Sequence, residues 1–270
     1  MMLIDTHCHL DAAEFDADRA QVVLASQKDV SVIVIPAVAR SNFDTVIDLN
    51  KQYSHCAYAL GIHPMYVDNA SLDDLETLKR YVTQHNPIAI GEIGLDYFVN
   101  APRTNQLNAN LQTHFFCEQL AIAKQHDLPV ILHVRSAIDD VLKHLRQYKL
   151  VGGIAHAFNG SLQQAEQFIA LGFKLGFGGA MTYSRALKIR ALATQLPLES
   201  IVLETDAPDI PPEWLGHQGR NSPAELAKIA QVLADLRGVN VAQVVDITSA
   251  NALKVLPKLA DLCTRPKALL

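Results

Sequence analysis

Eight short apolar runs recur along the chain, and a longer stretch of mixed polarity follows most of them. The runs are MLIDTHCHL (2–10), VSVIVIPAV (30–38), CAYALGIHP (56–64), PIAIGEIGLD (87–96), LPVILHVR (128–135), VGGIAHAF (151–158), FKLGFGGAM (173–181) and SIVLETDAP (200–208). They are rich in Val and Ile and do not alternate cleanly, the pattern of strands buried on both faces of a parallel sheet. Between them the period changes. Residues 105–127 place Leu107, Leu111, Phe115, Leu120 and Ile122 near one face at helical spacing. Ser71 with Asp74, Ser136 with Asp139, and Ser161 with Gln164 have the form of capping boxes, and Ser222-Pro223-Ala224-Glu225 puts proline at a first helical position. Eight strands alternating with helices predict an α/β protein, a (β/α)8 TIM-type barrel in a single domain spanning residues 1–270. The competing architecture, an open doubly wound sheet, usually carries a glycine-rich phosphate loop after its first strand. Here that strand ends in His-Cys-His.

Composition narrows the setting. Apolar residues make up 49% of the 270 positions and charged ones 19%, suited to a packed core. A formal charge of −5 provides no overall attraction to nucleic acid, so a phosphate-bearing substrate needs a local positive site, which bound metal would supply. The four cysteines form no C-x-x-C pair, no basic leader precedes an apolar stretch, and no apolar run reaches the roughly 18 residues of a membrane span. The expectation is a cytoplasmic protein with free thiols, no membrane association and no obligate protein partner.

Candidate chemistry sits where the runs end. In a strand His7 and His9 point to one side and Cys8 to the other. Eleven histidines in 270 residues give about 0.4 His-x-His pairs by chance, so the pair alone is weak. His63, Glu92, His133, His156 and Asp206 also lie near the C-terminal ends of their runs, and in a barrel those ends converge on the mouth where chemistry is kept. Taken singly, His133 or His156 reads better as a hydrogen-bonded rim residue. Glu92 is harder to dismiss, because a carboxylate within an apolar strand needs a cation or hydrogen bonds; Asp206 has the same need, with Glu204 two residues back on the same face. Four histidines and two carboxylates exceed one tetrahedral zinc and suit two divalent ions, with Glu92 as the natural bridge and Asp206 able both to bind metal and to take a proton from water. Imidazole favours zinc, while carboxylate and phosphate leave manganese or magnesium open. His55, His85, His114, His126, His144 and His217 have no matching set, and GFGG (176–179) reads as close packing rather than a phosphate loop. No G-x-S-x-G elbow is present.

Together IDTHCHLD, GIHP, AIGEIGLDY, LPVILHVRSA, AHAFNGS, LETDAP, RNSP and NALKVL resemble the TatD family of metal-dependent hydrolases, its bacterial YjjV-type branch in particular, over residues 3–256. The resemblance implies a TIM-type barrel of the amidohydrolase-like superfamily and phosphodiester hydrolysis, typically as a deoxyribonuclease. It places His7, His9 and Asp206 on one metal, His133 and His156 on the other, and Glu92 between them. His63, Arg135 and Glu204 take supporting or substrate-orienting roles. One departure is RNSP (220–223), where the family often has an RNEP-like loop. The expected substrate is nucleic acid, short or single-stranded DNA attacked from an end. The alternative keeps the same site for an ester, lactone or amide, including an aminoacyl-tRNA ester, and a third reading makes the metals structural in a binding module.

Overall fold

The computed structural model describes residues 3–98 and 105–263. Each apolar run contains a strand: β1 Leu3–Asp5, β2 Val30–Pro36, β3 Cys56–Ala59, β4 Ile90–Asp96, β5 Val130–Arg135, β6 Gly153–Ala155, β7 Phe173–Phe177 and β8 Ile201–Leu203. Helices follow in the same order: α1 Arg19–Ser26, α2 Phe43–Gln52, α3 Leu72–His85, α4 Gln106–Gln125, α5 Ile138–Tyr148, α6 Leu162–Ala170, α7 Leu187–Gln195 and α8 Leu226–Arg237, with α9 Val241–Val255 beyond the eight units.

All ladders are parallel. They run continuously through β1-β2-β3 and through β4-β5-β6-β7-β8. The two pieces close on each other by narrower seams. Leu60 bridges Ile90, and the Gly91 N–H donates to the Leu60 carbonyl at 2.9 Å. On the other side Cys8 bridges Ala207, the Asp206 N–H donates to the His7 carbonyl (2.8 Å) and the His9 N–H to the Ala207 carbonyl (2.7 Å). The result is a closed (β/α)8 barrel, which removes sheet edges altogether.

Two apolar clusters result. The larger packs helices against the outside of the barrel. The smaller gathers Ile4, Val32, Val34, Ile131, Ile154 and Val202 from the strands with Ala252, Val255, Leu256 and Leu259 from α9 and the turn after it. Asn251 Nδ2 donates to the Leu198 and Ile201 carbonyls at 2.8 and 2.7 Å, which fixes α9 at the N-terminal end of β8. That end of the barrel is therefore plugged, and polar side chains gather at the other.

Local starts follow the pattern with two exceptions. Asp74 accepts from the Ser71 N–H (2.8 Å), and Ser161 and Gln164 bond reciprocally (2.9 and 3.1 Å). Ser222 caps the short turn that opens α8 by accepting from the Ala224 N–H. Ser136 does not cap α5: its φ is +57° and Ala137 holds the N-cap position, because the chain turns sharply out of β5. Leu107 is 84% exposed, whereas Phe115, Leu120 and Ile122 are buried as expected, and the buried face of α4 widens to take in Ala109, Gln112, Phe116 and Gln119.

Gly94 permits the closest strand approach. Its φ is +149°, and a β-carbon there would lie 1.9 Å from the His133 carbonyl oxygen. Gly94→Ala is expected to cost about 3 kcal/mol or more through steric overlap and an unfavourable φ, read as a fall in the urea midpoint with an unchanged slope.

Candidate metal centre

The strand ends bring seven of the nine candidate side chains into one cluster around Glu92. Glu92 ends up buried because β4 is buried along its whole length. Its two oxygens face different partners. Oε2 lies 3.2 Å from His7 Nε2 and 3.4 Å from His9 Nε2, and Asp206 Oδ1 lies 3.6 and 3.7 Å from the same nitrogens. Oε1 lies 3.1 Å from His133 Nδ1, 3.0 Å from His156 Nε2 and 3.5 Å from His63 Nε2.

These spacings suit divalent cations. A tetrahedral ion with bonds of about 2.0–2.2 Å holds its donors roughly 3.3–3.6 Å apart. His7 Nε2, His9 Nε2 (3.3 Å apart) and Glu92 Oε2 lie close to that spacing from one another, and Asp206 Oδ1 lies 3.6 and 3.7 Å from the two nitrogens. The donor chemistry is neutral imidazole with carboxylate, and the sets His7-His9-Glu92, His7-His156-Asp206 and His63-Glu92-His133 each converge closely enough to hold an ion. His63 differs from the others in one respect. Its Nδ1 accepts from the Met65 N–H (3.1 Å), so the neutral ring carries its proton on Nε2 and donates toward Glu92.

The electrostatics of the cluster show how crowded it is. The rings of His7 and His156 stack with centroids 3.9 Å apart. Burial, then the charge of His156, presses His7 down to about 3. Burial also opposes charge on His9, yet the hydrogen bond and charge of Glu92, with Asp206 and Asp11, hold it up at about 9. Burial works against a charged Glu92, but His156, His7 and His63 keep its carboxyl well below the usual range. Burial lifts Asp206 to about 6, partly countered by His156 and His9.

A further layer holds these groups in place. Glu204 Oε1 accepts from the Ala157 N–H (2.5 Å) and faces His156 Nδ1 at 3.6 Å. Its carboxylate fills the space beside Gly176, where a β-carbon would come within 2.1 Å of Oε2. The other glycines of GFGG face backbone instead: a β-carbon on Gly178 would meet the Glu204 carbonyl oxygen at 2.7 Å and one on Gly179 the Ile210 carbonyl oxygen at 2.1 Å. Arg135 does not reach the cluster: its guanidinium lies on the Phe98 ring, 3.8 Å from the centroid, at the exposed rim. The RNSP loop likewise serves the site indirectly. Arg220 pairs with Asp18 through both guanidinium nitrogens (2.8 and 2.6 Å), while buried Asn221 donates to the Thr205 carbonyl (2.7 Å) and those of Asp209 and Ile210. It thereby clamps the turn in which Asp206 sits at φ +56°.

Two buried acids escape the sequence reasoning. Asp96 Oδ2 meets His133 Nε2 at 3.0 Å, and Asp5 accepts from the Thr205 hydroxyl (2.6 Å) and the Thr205 and His7 N–H groups. The signal was present: Asp96 lies four residues after Glu92 in the same apolar strand, and Asp5 shares the parity of His7 and His9.

A parallel barrel with a His and carboxylate cluster at its open mouth defines the class of barrel metallohydrolases. The chain belongs to the TatD family of metal-dependent hydrolases: the family described as "TatD related DNase" matches residues 4–257. It is 43% identical over 239 residues to "Uncharacterized metal-dependent hydrolase YjjV" of Escherichia coli, covering 87% of this chain and 90% of that one. It is 32% identical over 271 residues to the human protein named "Deoxyribonuclease TATDN3", covering 96% of each. The crystal structure of the Escherichia coli YjjV protein superposes with a TM-score of 0.88 at 39% identity, over 94% of this chain and 98% of that chain.

Two measurements test the centre. Ligand nitrogens that carry protons near neutral pH must release them to a cation, so calorimetric titration in buffers of different ionisation enthalpy is expected to show proton release, with affinity falling as pH is lowered from 8 to 6. Asp96→Asn is expected to leave the fold intact and weaken divalent-ion affinity about 10–100-fold, because the amide no longer fixes which His133 nitrogen keeps its lone pair.

Proposed function

We propose that the chain is a phosphodiesterase that removes nucleotides from the ends of short or single-stranded DNA, with two divalent ions shared across Glu92. The observation that carries this reading is the division of donors between the two oxygens of one buried carboxylate, at the mouth of a cleft of about 1390 Å³. In this reading His7, His9 and Asp206 would hold one ion, and His133 and His156 the other. When bound, divalent ions supply Lewis acidity, lowering the pKa of a water toward about 7 and offsetting negative charge on phosphoryl oxygens.

The remaining steps belong to side chains. Asp206, a carboxylate beside His7 and His9 at the mouth, is placed to take the proton of the attacking water. The P–O bond to the leaving nucleotide then breaks, and the proton returns to the departing oxygen. His63 can donate Nε2–H to a phosphoryl oxygen, and Arg135 on the rim can grip a neighbouring phosphate. Among the described residues the cleft lining offers Arg135 and Lys188 as its lysine and arginine cations, against Asp11, Glu14, Asp139, Asp140 and Asp209. Such a wall suits a short end rather than a long duplex. The human relative's name supports a DNA substrate.

The same acidic wall favours a second reading, an acyl ester carrying an ammonium group, such as an aminoacyl ester. Metal-stripped protein supplied with Mg²⁺, Mn²⁺ or Zn²⁺ is expected to release nucleotides from single-stranded DNA, with Glu92→Ala and His133→Ala folded but slower by about 10³-fold or more. Closed circular DNA cut as fast as linear DNA would overturn the end-directed reading. Hydrolysis of aminoacyl esters with no phosphodiester cleavage would replace the first reading by the second.

A further inference from the structure

Outside the donor cluster, the least expected side chains of the cleft are exposed apolar ones. Tyr66, Met65 and Phe98 are 45%, 50% and 64% exposed, and all three line the cleft. Their placement is tied to the cluster. The Met65 N–H holds His63 Nδ1, and the Tyr66 ring stands edge-on to His63 with centroids 6.1 Å apart. The Phe98 N–H donates to Asp96 Oδ1 (2.9 Å), whose other oxygen meets His133. His63 and His133 are neighbours, with ring centroids 4.2 Å apart. Two aromatic rings therefore stand on one side of the mouth, each hung from one of two adjacent histidines. The Arg135 guanidinium covers part of Phe98 and still leaves the ring largely open.

The acidic wall gives these rings a purpose. Beyond the phosphates at the donor cluster and at Arg135, a nucleic-acid end gains little there from further phosphate contacts, so added affinity comes from the faces of its bases. We propose that Phe98 and Tyr66 form a stacking subsite for the nucleobases beside the scissile phosphate, with Arg135 stiffening the Phe98 ring and holding a phosphate; the proposal rests on the phosphodiester reading. Because every base has a π face, such a subsite tolerates any sequence but requires bases free of a complementary strand. It supplies the preference for single-stranded ends that the metal donors alone do not.

The test uses the full chain and trinucleotides carrying the fluorescent base 2-aminopurine at one end. Stacking quenches this base, so titration with protein is expected to quench it, Phe98→Ala to abolish the quenching, and Phe98→Trp to restore it. In parallel, kcat/KM for an intact oligonucleotide is divided by that for one with an abasic terminal residue. Phe98→Ala and Tyr66→Ala are each expected to lower this ratio about tenfold, whereas Leu107→Ala, exposed on α4 and outside the cleft lining, leaves it where it is. If the protein hydrolyses DNA but the ratio does not move in either aromatic variant, the subsite is wrong and the phosphodiesterase reading stands. Quenching that depends on Phe98, without hydrolysis of any phosphodiester, would keep the subsite and remove the reading; absence of both would remove both.

Discussion

One buried carboxylate sets the terms for the mouth of this barrel. Glu92 has five imidazole nitrogens within 3.5 Å and is itself almost fully buried. So many rings around one anion cannot all be charged, nor can the anion remain there unpaired. The surrounding strands answer with a second set of acids, Asp96 behind His133, Glu204 behind His156, and Asp206 beside His7 and His9. Even the small residues follow from this arrangement. Gly176 leaves room for the Glu204 carboxylate, and Gly94 lets β4 approach β5 closely enough for Glu92 and His133 to meet.

The barrel divides its labour by end. One end is filled by branched aliphatic side chains and stoppered by α9, so it can be rigid and dry. The other keeps the turns. Ser136, Ala157 and Asp206 all have positive φ at the points where strands leave the rim, with Asp206 clamped through Asn221 and Ala157 through Glu204. Backbone conformations that ordinarily cost of order 1–3 kcal/mol are held there by buried hydrogen bonds, and they direct side chains into the cleft.

Much of this was readable in advance, for a physical reason. A histidine or carboxylate at the end of a Val- and Ile-rich run announces a group that cannot be buried alone, and each run marked a strand. What could not be read depended on partners far away in sequence. Ser136 looks like a cap until the exit angle of β5 forces it to the left-handed region. Leu107 fits a helical stripe, yet lies exposed in the first turn of α4. Asn221 shows no pattern of its own; its meaning lies in carbonyls 11 to 16 residues earlier that the fold brings beneath it. Arg220, which opens the RNSP loop, is committed to Asp18, far away in sequence.

The seam between the first and last strands can close only late in synthesis. Thr6 donates through its hydroxyl and its N–H to the Leu203 carbonyl, a separation of 197 residues, and the neighbouring His7 backbone pairs with Asp206. At roughly 5–20 residues per second, His7 and His9 leave the ribosome on the order of 10–40 s before the segment that completes their surroundings. During that interval the His-Cys-His segment can pair with β2 through the Cys8 N–H and the Val34 carbonyl, while its other side has no strand to meet. The last strand to be made turns that segment into the wall of a cleft.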